Sequence, residues 1–270
     1  MGTAPQVSYD VDDGIGWITL RRPDTMNALD ESVLRELFDV LLRANSDAAT
    51  GVLFLTGEGP HFTAGGNVEW EAEFSADRTP DILRLVGHIS YELRNAPKPI
   101  LGAIRGYCIG GGNELNLHLD ATIASETAKF AQTETRWGIL PFWYTPQLLP
   151  LMVGERRARE ILLFGRMYDA DEALDMGLCN MVVPDDELER EVTAWARELL
   201  ERSPTALRLV KMALNGIGDQ LRGLANHESA IVSVTAGSER YRTELMSFYD
   251  VQGTRRPHPA RPRRTYSSEH

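Results

Sequence analysis

An α/β fold is what this sequence predicts, and three observations carry the prediction. Short, almost wholly apolar runs at Ile15–Leu20, 52–56 and 99–104 read as buried strands. Between them, 31–44 and 81–94 carry apolar residues at helical spacing, so strand, helix and strand follow in the order of a βαβ unit. The glycine run Gly110-Gly111-Gly112 then follows the third strand and opens a helix over 113–119. Strands this apolar belong to a sheet covered on both faces.

Each element has its own signals. Ile15–Leu20 stops at Arg21-Arg22-Pro23, and Asn27-Ala28-Leu29-Asp30 leads into a helix whose Val33, Leu34, Leu37, Val40 and Leu41 share one face. The 52–56 strand ends at Gly57-Glu58-Gly59-Pro60. The polar stretch 65–80 reads as a mobile loop or loose helix, after which Ile82, Leu83, Leu85, Val86 and Ile89 restore the helical period. Ala121–Ser125 and Lys129–Ala131 read as further short strands. From Pro146 onward the pattern is helical: 145–152, 155–163, 171–176 ending at Gly177, 186–202, and 206–214 after the start signal Ser203-Pro204-Thr205. Residues 220–250 read as one or two long amphipathic helices. The tail, 253–270, carries Arg255, Arg256, Arg261, Arg263 and Arg264 among prolines and reads as a solvated, weakly ordered end.

Composition narrows the function. With 270 residues, 43% of them hydrophobic, the chain can bury a sizeable core in one main domain. A net charge of -11 argues against a nucleic-acid partner, which calls for a basic face. Cys108 and Cys179 lie in apolar runs without metal or disulfide spacing and read as core residues. No leader-like N-terminus and no run long enough to span a membrane is evident, so a soluble cytoplasmic protein is expected. His61, His88, His118 and His227 show neither triad nor metal spacing, and no G-x-S-x-G elbow is present.

The chemistry centres on two carboxylates. Glu114 stands just behind the glycine run, and Glu134 follows twenty residues later in Gln132-Thr133-Glu134. A glycine turn opening a helix offers N–H groups to a developing oxyanion, and two glutamates can manage the protons of a water molecule. A second small-residue turn, 62–68, can supply a second donor, which makes Gly66 and Gly111 the expected pair. Each feature also has a plain structural reading: a glycine run as a tight turn, Glu114 as a solvated residue on a helix dipole, Glu134 as a surface residue after a strand.

Taken together and in order, Asn27-Ala28-Leu29, residues 62–68, Lys98-Pro99-Ile100, Gly106 through Leu115, Asp120 and Ala128-Lys129-Phe130 resemble the enoyl-CoA hydratase/isomerase (crotonase) superfamily. The resemblance runs from about Val11 to Asp250. It implies a spiral of short strands and crossing helices over 1–202, a helical region for trimerisation and active-site capping over 203–252, and a flexible basic tail over 253–270. It implies further that Glu114 and Glu134 hold a water, with Glu114 activating it and Glu134 exchanging a proton at the α-carbon. Gly66 and Gly111 would polarise the thioester carbonyl of an acyl-CoA.

The resemblance also places coenzyme A, as part of the substrate, beside Arg22, Met26 and Ala28 and the turn Ala64, Gly65, Asn67 and Val68, with Gly110 close by. No metal and no permanently bound cofactor is implied. The expected assembly is a homotrimer or a hexamer built as a dimer of trimers.

One departure bears on the substrate. Where family members continue after the second glutamate with a small, glycine-rich stretch, this chain has Phe142-Trp143-Tyr144. Phe142 and Trp143 either reshape the acyl pocket toward ring-shaped groups or pack beneath the C-terminal helices. Hydration of an α,β-unsaturated CoA thioester is the first expectation. The alternatives are hydrolytic ring opening of a cyclic β-oxoacyl-CoA, a hydroxycinnamoyl-CoA hydratase-lyase reaction, and a catalytically silent assembly subunit. A dihydroxynaphthoyl-CoA synthase is disfavoured because Pro141 stands where its aspartate would be.

Overall fold

A computed structural model describes residues 4–71 and 79–220, together with Ser238, Glu239, Tyr241 and Thr243. The expected long helices over 220–250 and the tail over 253–270 therefore lie almost wholly outside the described residues, as do residues 72–78 of the polar stretch 65–80.

The main sheet begins with a hairpin, β1 (Val7–Asp12) antiparallel to β2 (Ile15–Leu20). Four parallel strands follow across the sheet: β3 (Val52–Gly57), β4 (Ile100–Ile104), β6 (Ala121–Ser125) and β9 (Met181–Val183). The crossovers are α1 (Glu31–Ser46), capped by Asp30 through the Ser32 and Val33 N–H groups, and α3 (Thr79–Arg94). In β3 every residue from Val52 to Leu55 is buried, with Leu53 and Leu55 facing α1 and α3 and with Val52 and Phe54 facing α8 (Leu188–Leu200). The expectation of a sheet covered on both faces holds.

A second, three-stranded sheet carries the strand that leads into the glycine run. It joins β5 (Tyr107–Ile109), β7 (Lys129–Ala131) and β8 (Met167–Asp169), and a parallel bridge between Thr63 and Cys108 ties the small-residue turn to its edge. Cys108 and Cys179 are free and buried, as expected of core residues.

The helices α5 (Thr145–Val153), α6 (Glu155–Phe164) and α7 (Ala170–Met176) occupy the second half, and α7 is closed by a reciprocal Asp169–Glu172 capping box. The last described helix, α9 (Pro204–Gln220), is fastened by Lys211. The Lys211 ammonium reaches Asp120 Oδ2 at 2.6 Å and the carbonyls of Leu93 and Lys98.

The structure corrects four sequence-based expectations. The region after Pro146 is not wholly helical: β8 and β9 have three residues each, too short for a period to register. The helix expected over 113–119 spans Gly111–Asn116 as α4, with turns following from Leu117. The helix expected over 186–202 begins as a 3-10 turn at Asp185–Glu187 before α8. Finally, β1 and β5 were not anticipated, although the alternation of Val7, Tyr9 and Val11 with polar residues is a legible strand signal.

Candidate active site

Two backbone turns converge. In the first, Thr63 pairs with β5 through Thr63 N–H to Tyr107 O at 2.8 Å, and its hydroxyl accepts the Gly65 N–H at 3.0 Å while donating to Asn27 O at 2.7 Å. A parallel bridge then joins Leu29 to Gly66 by way of the Gly65 carbonyl and the Asn67 N–H, so the N–H of Gly66 itself points away from the bridge.

In the second turn, Gly110 adopts φ 53° and ψ -120°, a conformation only glycine holds without strain, and passes the chain from β5 into α4. A Cβ on Gly65 would stand 2.5 Å from Ile109 O and 3.2 Å from Gly111 N, and a Cβ on Gly111 would stand 3.7 Å from Gly66 N. Glycine is what lets the turns meet, bringing Gly65 and Gly66 against Gly111.

Both predicted glutamates surround this junction, and neither is the surface residue its local sequence allows. Glu114 is 1% exposed. Its Oε1 accepts the Phe142 N–H at 2.9 Å and the hydroxyl of buried Thr145 at 3.2 Å, and its own N–H bonds Gly110 O at 2.9 Å. Glu134, 9% exposed, begins a 3-10 turn, and its Oε1 lies 3.1 Å from the place a Cβ on Gly110 would take.

A relay orients Glu134: Asn113 Nδ2 donates to Gln132 Oε1 at 2.8 Å, and Gln132 Nε2 donates to Glu134 Oε1 at 2.8 Å. Its Oε2 is buried with no hydrogen-bond partner among the described residues. Burial pushes the Glu134 carboxyl up to about 7, against the opposing pull of its hydrogen bonds from Gln132 and the backbone.

A third carboxyl group, unanticipated, stands at the same place. Asn67 caps the short helix α2 (Val68–Glu71) by accepting the Trp70 N–H on Oδ1 at 2.9 Å and the Glu71 N–H on its carbonyl at 2.9 Å. The Glu71 side chain folds back so that Oε1 is 1.7 Å from the position of a Cβ on Gly66. Its enclosed carboxyl is pushed up to about 8 by burial and then by the charge of Glu134.

The remaining predicted residues lie on the loop 22–28, the turn 62–68 and the aromatic run 142–144. Met26 and Asn27 both have positive φ, 55° each, and Asn27 fixes the loop through Glu58 O, His61 O and Arg22 N–H. Ala64 N–H donates to Met26 O at 2.9 Å, which brings the loop bearing Met26 and Ala28 against the turn bearing Ala64 and Gly65. Val68 is half-buried at the start of α2. Arg22, expected beside coenzyme A, pairs with Asp30 and with Ala28 O at 3.3 Å.

The aromatic run is bent sharply, with Trp143 and Tyr144 at φ 60° and 62°. Trp143 is buried, donates from Nε1 to Val86 O at 2.7 Å, and has its ring 3.8 Å from the Cβ position of Gly111. Phe142 is partly buried against the core. Packing and site lining are thus met by the same segment, and the Phe142 main chain holds Glu114.

Thr145, Gln132, Asn113 and Glu71 escaped the sequence reading. Gln132 lies beside Glu134 and could have been suspected; Glu71, in a polar stretch, carried no signal.

A sequence profile of the enoyl-CoA hydratase/isomerase family matches residues 10–250. Among solved structures, an enoyl-CoA hydratase/isomerase from Xanthobacter autotrophicus Py2 superposes with a TM-score of 0.82 at 31% identity, over 93% of this chain and 94% of that one. A probable enoyl-CoA hydratase from Mycobacterium thermoresistibile gives 0.76 at 32%, over 90% and 98%. An enoyl-CoA hydratase from Bacillus halodurans, at 24% identity, matches in fold with a TM-score of 0.84 over 90% and 99%.

Proposed function

The chain belongs to the enoyl-CoA hydratase/isomerase family, and we propose that within it this protein adds water across the double bond of an α,β-unsaturated CoA thioester. The observation that carries this reading is the gathering of two buried glutamates with unlike surroundings around the paired glycine amides.

The thioester oxygen lies between the Gly66 and Gly111 N–H groups, which stabilise the enolate that forms there. Glu114, held by the Phe142 N–H and the Thr145 hydroxyl, suits the carboxylate that takes a proton from water as its oxygen bonds the β-carbon. Glu134, raised to about 7 by burial, suits the acid that gives the α-carbon its proton. One water is gained, and Glu134 regains from solvent the proton that Glu114 releases. Coenzyme A runs along the loop at Met26 and Ala28 and the turn at Ala64–Val68. A trimeric or hexameric assembly and a cytoplasmic setting complete the reading. Leu209, Val210, Met212 and Leu214 stand exposed on α9, as an interface between copies requires.

A second reading, hydrolytic opening of a cyclic β-oxoacyl-CoA, is favoured by Trp143 beside Gly111, since a flat ring rests well against an indole. Mass spectrometry of products formed in heavy-oxygen water separates the two. One added water on an intact carbon skeleton supports hydration; a ring-opened carboxylate moves the assignment. Glu114→Gln and Glu134→Gln should each lower kcat by about a thousandfold while leaving thioester affinity within about threefold. Near-normal turnover in both would sink the mechanism.

A further inference from the structure

We propose that Glu71 makes this site selective for an acyl group that carries its own oxygen, a hydroxyl or carbonyl near the thioester, over an unsubstituted hydrocarbon chain. The inference rests on the reading of Gly66 and Gly111 as the thioester-binding amides.

The argument begins with place. Glu71 Oε1 lies 1.7 Å, and its Cδ 2.5 Å, from where a Cβ on Gly66 would be, so the carboxyl fills the space directly over that glycine. An acyl group whose carbonyl oxygen bonds the Gly66 amide must lie against this carboxyl.

The setting is prearranged. Asn67 holds the turn of α2 through the N–H groups of Trp70 and Glu71, and the Tyr241 hydroxyl donates to Glu71 O at 3.2 Å, which ties the main chain at Glu71 to the C-terminal region. No donor or acceptor among the described residues bonds the Glu71 carboxyl. By contrast, the buried carboxyl of Glu114 receives the Phe142 N–H and the Thr145 hydroxyl.

The consequence for a ligand is chemical. A hydrocarbon chain laid against Glu71 would offer the enclosed carboxyl no hydrogen bond, a cost a site with buried polar groups exacts from analogues lacking the matching oxygen. An ionised Glu71 would also repel an enolate forming at Gly66. Burial and the neighbouring Glu134 push its carboxyl up to about 8, so at neutral pH it is mostly the acid and can donate to a carbonyl or hydroxyl oxygen of the acyl group. The same position thus penalises the plain chain and rewards the oxygenated one.

Calorimetric binding tests this without relying on turnover. The ligands are butyryl-CoA and its 2-hydroxy, 3-oxo and 4-hydroxy derivatives, titrated into the full chain and into the Glu71→Leu and Glu71→Gln variants. At least one oxygenated derivative is expected to bind tenfold or more tightly than butyryl-CoA. Glu71→Leu should reduce that ratio to about threefold or less, chiefly by improving butyryl-CoA, and Glu71→Gln, which keeps a donor and an acceptor, should preserve most of it. A preference that survives in Glu71→Leu overturns the inference, as does a wild-type chain that binds all four alike or a Glu71→Leu variant that loses all four equally. The site reading stands in those cases, because the thioesters bind; failure of every thioester to bind the wild-type chain overturns both.

Discussion

The start of α4 and the 3-10 turn after β7 each present a buried glutamate to the same glycine junction, yet the two surroundings differ in kind. At the first, a backbone N–H and a hydroxyl both point at one oxygen of Glu114, an arrangement fit for negative charge. At the second, Glu134 has a single side-chain donor in Gln132 and a second oxygen with no partner among the described residues, an arrangement in which burial favours the neutral acid. Identical side chains thus become candidates for opposite roles through what is placed around them, and not through residue type.

The comparison breaks most sharply at Gly110, which touches both halves. Gly110→Ala would force a side chain into a positive-φ position and toward Glu134 Oε1. A loss of about a hundredfold in kcat is expected, since misplacing a catalytic group by an ångström costs on that order. Steady-state kinetics, with circular dichroism to verify the fold, measures it; a rate within threefold of wild type would show that the position of Glu134 is not set here.

Thr145→Val removes one of the donors on Glu114 while keeping shape. A fall of about tenfold in kcat with unchanged thioester affinity is expected, because a hydrogen bond to a charged group is worth roughly 1.5–3 kcal/mol. A change confined to KM would assign Thr145 to binding instead.

The smallest effect is on stability. Glu134 is raised from 4.5 to about 7 and Glu71 to about 8, so folding favours their protonated forms. Their contribution is fully present below about 4.5 and is lost as pH rises through 7 and 8. Glu134→Gln, which cannot ionise, should therefore melt a few degrees above the wild type at pH 9, with the gap closing toward pH 4.5. Differential scanning calorimetry at both pH values decides, and a gap that is constant or reversed would mean Glu134 ionises freely in the folded chain.

Much of this was legible beforehand, for identifiable reasons. Elements with long periods, such as α1 and α3, announced themselves because helical burial repeats over many residues, α9 through its Ser203-Pro204-Thr205 start signal, and β3 because every position in its first four residues is buried. Three-residue strands such as β8 and β9 did not, since their identity comes from β7 and β6 alongside them. In the site, Glu114, Glu134, Gly66 and Gly111 stood out by residue type and spacing, whereas Thr145 and Glu71 are unremarkable until folding sets them against Glu114 and Gly66.

What the sequence by itself determined is the longer helices, the buried strands β2, β3, β4 and β6, the family, and the presence of paired glycine turns with two carboxylates, because these are properties of short segments and of residue types. What the tertiary structure alone decided is what surrounds those carboxylates. Donors from Phe142 and Thr145 reach Glu114 across 28 and 31 residues, and Glu71 meets Gly66 by folding back over it. Proton affinity answers to burial and to neighbours in space, and neither is written in the local order of the chain.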